Sequence, residues 1–326
     1  MTQATSVFVS EPGDRSVLQV RTHDVPDPAA GEVQVEVAAA GVNFIDVYKR
    51  QGVYPVATPF VLGEEGAGTV TAVGSGVTRV RVGDRVASEA FAGAYAELTT
   101  AKADRVVSLP DGVESTIGAA VMLQGLTAHY LATSTYPLQR GDRCLVHAAA
   151  GGVGLLLCQI AKRRGAWVVG TTSTAVKAKW AREVGADEVI LYTGQDFVAE
   201  VKRLTNGKGV QVVFDSVGKT TFDGSLDCVS PRGMMVLFGQ SSGPVPPVDP
   251  QLLNRKGSLF LTRPNLAHYL ATPEELAARA AELFGWVGDG WLSVHVDRTY
   301  LLGEAAEAHR ALESRATIGK VLLAVE

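Results

Sequence analysis

The sequence predicts an α/β chain: a doubly wound parallel sheet in the middle, with a β-rich domain supplied by both ends. Three observations predict it. The first hundred residues are short Val- and Thr-rich runs cut by Gly and Pro. From about Ser115 to about Thr262, short apolar runs alternate with longer helical stretches, the pattern of parallel strands joined by crossover helices. The tail ends in two strand-like runs that need a sheet to join. A length of 326 residues suits two domains.

The N-terminal strands are expected at 32–39, 68–73, 85–87 and 94–99. Val33-Gln34-Val35-Glu36-Val37 alternates valine with polar residues, as a strand with one buried face does. Turn signals such as Glu11-Pro12-Gly13-Asp14, Gly74-Ser75-Gly76 and Val82-Gly83-Asp84 recur at short spacing, which suits a barrel or sandwich. In the middle region, strands are expected at 143–148, 167–171, 188–191, 211–215, 234–238 and 258–262. Helices fall between them at 153–164, 174–183, 197–204 and 220–229. In the tail, 273–287 and 304–314 are amphipathic helices, and 293–298 and 320–325 are strands. The economical arrangement returns those tail strands to the N-terminal sheet.

Composition narrows the classes of function. Apolar residues are 46%, charged residues 20% and the net charge is −4. That is ordinary globular composition, without the basic stripe that a nucleic-acid partner requires. The three cysteines, Cys144, Cys158 and Cys228, form no C-x-x-C pair, which argues against a disulfide scaffold or thiolate zinc site. The start has no cationic segment leading an apolar run, and no apolar stretch approaches the ~20 residues that span a bilayer. A soluble cytoplasmic protein with no membrane partner is expected.

The strand Cys144-Leu145-Val146-His147 runs into Ala148-Ala149-Ala150-Gly151-Gly152-Val153-Gly154, and a helix follows. This is the G-x-G-x-x-G position with Ala149 in the first glycine slot. Gly151 lets the backbone approach a pyrophosphate, the helix start offers N–H groups at Gly152 and Val153, and Gly154 lets helix and strand pack closely. An NAD site usually carries an acid at the end of the next strand. Here that region reads Thr171-Thr172-Ser173-Thr174-Ala175-Val176-Lys177, with no acid between Leu155 and Arg182. Nothing there repels a 2′-phosphate, and Ser173 and Lys177 can hold one, so NADPH is the expected cofactor. His147 reads as packing, and Ser216 has no nucleophile elbow around it.

Further segments join the glycine turn. They are Ala40-Gly41-Val42-Asn43-Phe44-Ile45-Asp46-Val47-Tyr48, Gly52-Val53-Tyr54-Pro55, Leu62-Gly63-Glu64-Glu65-Gly66-Ala67-Gly68 and Gln124-Gly125-Leu126-Thr127-Ala128. Later come Asp215-Ser216-Val217-Gly218, Phe238-Gly239-Gln240-Ser241-Ser242-Gly243, Thr262-Arg263-Pro264 and Glu313-Ser314-Arg315-Ala316-Thr317. In this order they resemble the quinone oxidoreductase family of the zeta-crystallin type, within the medium-chain dehydrogenase/reductase superfamily. The resemblance covers nearly the whole chain. It implies a GroES-like domain from residues 1–125 and 266–326 around a Rossmann domain from residues 126–265. It also implies a homodimer formed through the Rossmann domains, with 258–262 as the edge strand.

Zinc members of the superfamily carry a cysteine just after the first Ala-Gly strand, then Gly-His-Glu, then another thiolate or acid near the domain junction. This chain has Asn43, Gly63-Glu64-Glu65 and Gln124 there, and no cysteine in 87–97. No metal is expected. Lacking a Lewis acid for an alcohol or simple ketone, such an enzyme suits a quinone or activated enone, which needs hydride and donors for the oxygen that gains charge. Asn43, Tyr48 and Tyr54 are the candidate donors, in the segment that by resemblance faces the nicotinamide. The resemblance places further cofactor contacts at Phe44, Thr127, Tyr192, Ser216, Phe238, Ser241, Arg263 and Arg315. The expected function is NADPH-dependent quinone reduction. The alternatives are an alkenal or enone double-bond reductase, or a non-catalytic NADPH-binding protein of crystallin or RNA-binding type; the acidic net charge weighs against RNA.

Overall fold

The computed structural model describes residues 2–325. The N-terminal strands are β1 (Thr2–Val9), β2 (Leu18–Val25), β3 (Glu32–Val42), β4 (Phe60–Val61), β5 (Glu65–Val73), β6 (Arg85–Ser88), β7 (Leu98–Lys102) and β8 (Val107–Ser108). Helix α1 (Phe44–Arg50) follows β3, and α2 (Ser115–Tyr130) leads onward. The second unit alternates β9 (Arg143–Val146), α3 (Gly152–Arg163), β10 (Trp167–Thr172), α4 (Ala175–Glu183), β11 (Glu188–Leu191), α5 (Phe197–Leu204) and β12 (Val210–Asp215). It continues through α6 (Phe222–Cys228), β13 (Val229–Leu237), α7 (Pro250–Arg255) and β14 (Phe260–Thr262). The tail adds α8 (Pro273–Gly288), β15 (Val296–Leu301), α9 (Ala305–Glu313) and β16 (Lys320–Ala324).

Two compact units result. One runs to Leu126 and resumes at Thr272; the other is Thr127–Ala271. The second boundary lies a few residues beyond that read from the sequence. Tyr269 explains the difference: it stacks on Tyr130 at 4.2 Å and accepts a hydrogen bond from Thr135 Oγ1 (2.9 Å).

In the first unit, β16 pairs antiparallel with β3, Leu323 opposite Ala40, so the tail strand joins the N-terminal sheet. That sheet runs β15-β16-β3-β5-β6-β8, with β7 also on β3. Val33, Val35, Val37, Val70, Val86 and Leu323 are buried in its core. The alternation of β3 is imperfect. Gln34 is buried as well, where its amide donates to Pro26 O (3.1 Å).

In the second unit, the sheet order is β11-β10-β9-β12-β13-β14 and every pairing is parallel. This is the doubly wound arrangement, with the order reversing between β9 and β12. Leu145, Val169, Ile190, Val213 and Met235 build its core.

Sequence periodicity did not disclose α1, α2 or the first hairpin of β1 and β2. Helix α2 buries Ala119–Met122, Leu126, Ala128 and Tyr130, so its apolar residues form no stripe. The strand expected at 94–99 is displaced to β7. Ala94 and Tyr95 instead donate their amides to Gly63 and Leu62, which draws the Tyr95 side chain into the core. No described helix is long and apolar enough to cross a membrane.

Candidate active site

The C-terminal ends of the parallel strands collect the nucleotide-site candidates of the second unit, as ligand crevices of such sheets require. After β9, Ala148 takes the left-handed conformation (φ +51°). Gly151 caps α3, and no side chain among the described residues bonds the helix start, so its N–H groups suit a phosphate. A side chain at Gly154 would collide with Ala148 O and stand 2.8 Å from Ala149 Cα. Ala149 fits the first glycine slot because it faces Gly170 of β10, where an added Cβ would stand 2.7 Å away.

Strand β10 ends in Thr171-Thr172 with no acid. Ser173 follows, and Thr174 caps α4, its hydroxyl accepting the Lys177 amide (3.3 Å). Tyr192, 42% exposed, donates its amide to Thr172 O (3.2 Å), and Thr193 Oγ1 donates to Ser173 O (3.1 Å). The structure therefore gathers Ser173 and Tyr192 at one strand end, with Lys177 in the first turn of the adjoining helix. Ser216, Phe238 and Ser241 meet likewise: Phe238 N donates to Asp215 O (2.8 Å) and Ser241 N to Ser216 O (3.2 Å). Arg263 directly follows β14.

A buried polar bridge runs beneath these ends. His147 contacts Thr171 Oγ1 through Nδ1 and Ser225 Oγ through Nε2, both at 2.9 Å. Ser225 donates to Asp215 (2.9 Å), whose other oxygen accepts the amides of Val217 and Gly218. Burial holds the His147 pKa down, so the imidazole is a neutral strut tying the ends of β10 and β12.

The acceptor-side candidates lie in the first unit. Tyr48 sits on α1, and Tyr54 packs edge-on against it at 5.4 Å. Phe44 lies 6.0 Å from Tyr48. Arg315 is exposed at the turn after α9 with φ +56°. Asn43 departs from its expected role. It is buried, its Nδ2 donates to Glu65 Oε2 (2.8 Å) and Gly41 O (3.2 Å), and its Oδ1 accepts from Lys320 Nζ (2.8 Å) and Gln124 Nε2 (3.1 Å). Both amide hydrogens are spent inside the protein. Asn43 thus anchors the start of α1 instead of donating to an acceptor.

Lys320 and Glu65 also form an ion pair with side chains 1% and 0% exposed, and Glu65 Oε1 accepts the Leu123 amide (2.7 Å). Sequence reading overlooked Lys320, which looks like an ordinary strand-end lysine; only the return of the tail to β3 brings it to Glu65.

A second chain of contacts runs from Asp46 through Tyr95 and His309 to Arg50. Asp46 Oδ2 accepts from Asn43 N (2.8 Å) and Tyr95 OH (3.1 Å), while Oδ1 is buried with no partner among the described residues. Tyr95 OH meets His309 Nε2 (3.2 Å), His309 Nδ1 meets Arg50 (2.9 Å), and Arg50 pairs with Glu313 (2.8 Å). Burial, aided by the charge of Glu64, lifts the Asp46 pKa to about 7. Burial, aided by Arg50, lowers that of His309 to about 3.

These shifts oppose each other in stability. Below an unfolded pKa of 6.5, His309 takes a proton only on unfolding, so stability falls with pH. Asp46 holds its proton only in the folded state between 3.8 and about 7, so stability rises as pH falls. The two slopes, about 1.4 kcal/mol per pH unit each, cancel between about pH 6.5 and 4. Asp46→Asn removes one of them. Its unfolding free energy, measured against pH, is expected to fall below pH 6.5 about 1.4 kcal/mol per unit more steeply than that of the unaltered protein. Parallel pH profiles would overturn this.

Comparison with known proteins adds three relatives and two family models. Residues 29–111 match the alcohol dehydrogenase GroES-like domain, and residues 152–278 match the zinc-binding dehydrogenase family. A quinone oxidoreductase of Pseudomonas aeruginosa is 49% identical, covering 95% of this chain and 96% of its own. A 2-haloacrylate reductase of Burkholderia is 41% identical over 92% of each chain. The crystal structure of Escherichia coli quinone oxidoreductase complexed with NADPH superimposes with a TM-score of 0.96 at 46% identity, covering 98% of this chain and 99% of that one.

The second family model implies zinc, and the residues here do not fit it. At the positions where zinc members carry ligands, Glu64 is ion-paired to Lys49, and Asn43 and Gln124 bond each other beside the Lys320 ammonium. Zinc requires thiolate, imidazole or carboxylate ligands converging on it, and here a cation already takes the available oxygens. Among the described residues no group of three or more His, Cys, Asp or Glu is placed to hold a metal.

Proposed function

This chain belongs to the quinone oxidoreductase family, and on that premise we propose that it reduces quinones with NADPH. The observation that carries this reading is the glycine turn opening an α3 start that no side chain caps, beside a β10 end lacking an acid. A phosphate-bearing dinucleotide suits the first feature, and a 2′-phosphate suits the second. Bound NADPH supplies hydride; the quinone takes that hydride and one proton to become a hydroquinone. In the second unit the NADPH contacts we propose are the candidates at the strand ends and Thr127; in the first unit they are Phe44 and Arg315.

On the acceptor side, Tyr48 and Tyr54 provide hydroxyl donors for the oxygen that gains charge, and their rings wall a flat substrate. Asn43 orients α1 beneath them. Tyr48→Phe with Tyr54→Phe is expected to lower turnover of 1,4-benzoquinone about 10- to 100-fold, short of the 10²–10³ seen for a fully enclosed donor, with NADPH affinity nearly unchanged. Kinetics equal to the unaltered protein would mean that both tyrosines only pack.

The edge strand β14 exposes Phe260 at 60%. An unpaired apolar edge invites pairing, which supports a homodimer joined through β14. Sedimentation at micromolar concentration is expected to give a dimer; a monomer would overturn the assignment.

A further inference from the structure

We infer that Gln124 is a further catalytic residue, donating its second amide hydrogen to the acceptor oxygen; the inference rests on the hydride-transfer reading above. The polarity of its surroundings fixes how it points. The Lys320 ammonium can only donate, so Asn43 must turn Oδ1 toward it. The Glu65 carboxylate accepts from Asn43 Nδ2 (2.8 Å), which settles the same orientation from the other side. Asn43 Oδ1 then needs a donor from Gln124, and Nε2 supplies it at 3.1 Å. One hydrogen of Nε2 is used there. The other, and Oε1, have no protein partner among the described residues.

Apolar residues flank this amide along α2. Gln124 is 9% exposed while Val121, Met122 and Leu126 on the same helix are at 0%. A polar group here, held by Asn43, which Lys320 and Glu65 hold in turn, is a costly way to fill space. Thr127 lies three positions on, hence on the same face of α2. A fixed donor with a spare N–H at low exposure is what stabilises charge developing on a quinone or enone oxygen, because it needs no reorganisation during the reaction.

The test is steady-state kinetics of Gln124→Met and Gln124→Glu with NADPH and either 1,4-benzoquinone or an α,β-unsaturated ketone. NADPH Kd is measured by cofactor fluorescence, and thermal unfolding is recorded alongside. Methionine fills the same volume without a donor. Gln124→Met is expected to lower kcat about 10- to 100-fold, with NADPH Kd within about twofold and a melting temperature only slightly lowered, since Lys320 still donates to Asn43 Oδ1. Gln124→Glu should lower kcat further by placing negative charge at the oxygen. An unchanged kcat for Gln124→Met, or a loss seen in NADPH affinity alone, overturns the inference. The effect is scored on whichever acceptor the unaltered protein reduces. Turnover of the ketone alone rejects the quinone reading while leaving Gln124 tested, and turnover of neither rejects both.

Discussion

Lys320→Met is expected to destabilise the protein by about 3–5 kcal/mol, the range for breaking one side of a buried ion pair. The substitution leaves the Glu65 carboxylate fully buried with its cation gone. It also removes a donor from Asn43 Oδ1. No water can replace the ammonium without space, and space is short: any side chain at neighbouring Gly41 would collide with Glu65 and stand 2.6 Å from Ala119 O. The double variant Lys320→Met with Glu65→Gln carries no buried charge. It keeps an acceptor for the Leu123 amide, which now bonds Glu65 Oε1 at 2.7 Å, and with the Asn43 amide turned so that its oxygen meets the new NH2 it should regain part of the loss. Guanidinium unfolding of the two variants measures both effects. Equal stability of the single and double variants would show that lost packing, not the orphaned carboxylate, sets the cost.

The same cluster marks where sequence reading stopped. The strands and helices of the second unit were legible because each βαβ turn carries its own local signals, from the glycines after β9 to the Thr174 cap of α4. Of the candidates at those strand ends, Ser173 and Lys177 follow from local sequence, whereas Tyr192, Ser216, Phe238, Ser241 and Arg263 rest on the family resemblance. What was not legible depends on contacts between distant segments. Lys320 and Glu65 are 255 positions apart, and His309 reaches Arg50 across 259. Asn43 illustrates the consequence. Its type and position suit a donor to substrate, and only the buried partners on β5, β16 and α2 reveal that its hydrogens are committed. Helix α2 was missed for another reason: a helix buried on most sides has no polar face to give it a period.

Lys177→Ala is expected to weaken NADPH binding by about 10- to 150-fold while NADH binding barely moves. Strand β10 ends in Thr171-Thr172 without an acid, so a 2′-phosphate meets no like charge. Lys177 follows in the first turn of α4, its amide already held by the Thr174 cap (3.3 Å). The backbone beneath the side chain is therefore fixed whatever residue stands there, and alanine preserves the cap. A hydrogen bond to a charged group contributes roughly 1.5–3 kcal/mol, and each 1.36 kcal/mol is a factor of about ten. NADH lacks the 2′-phosphate and so lacks the interaction. Because the contact joins unlike charges near the surface, salt screens it. The variant should accordingly show a flatter dependence of NADPH Kd on ionic strength. Kd for both cofactors, in both proteins and at two salt concentrations, decides the matter. An equal loss for NADH and NADPH would assign Lys177 to holding the loop, and a native preference for NADH would overturn the 2′-phosphate site altogether.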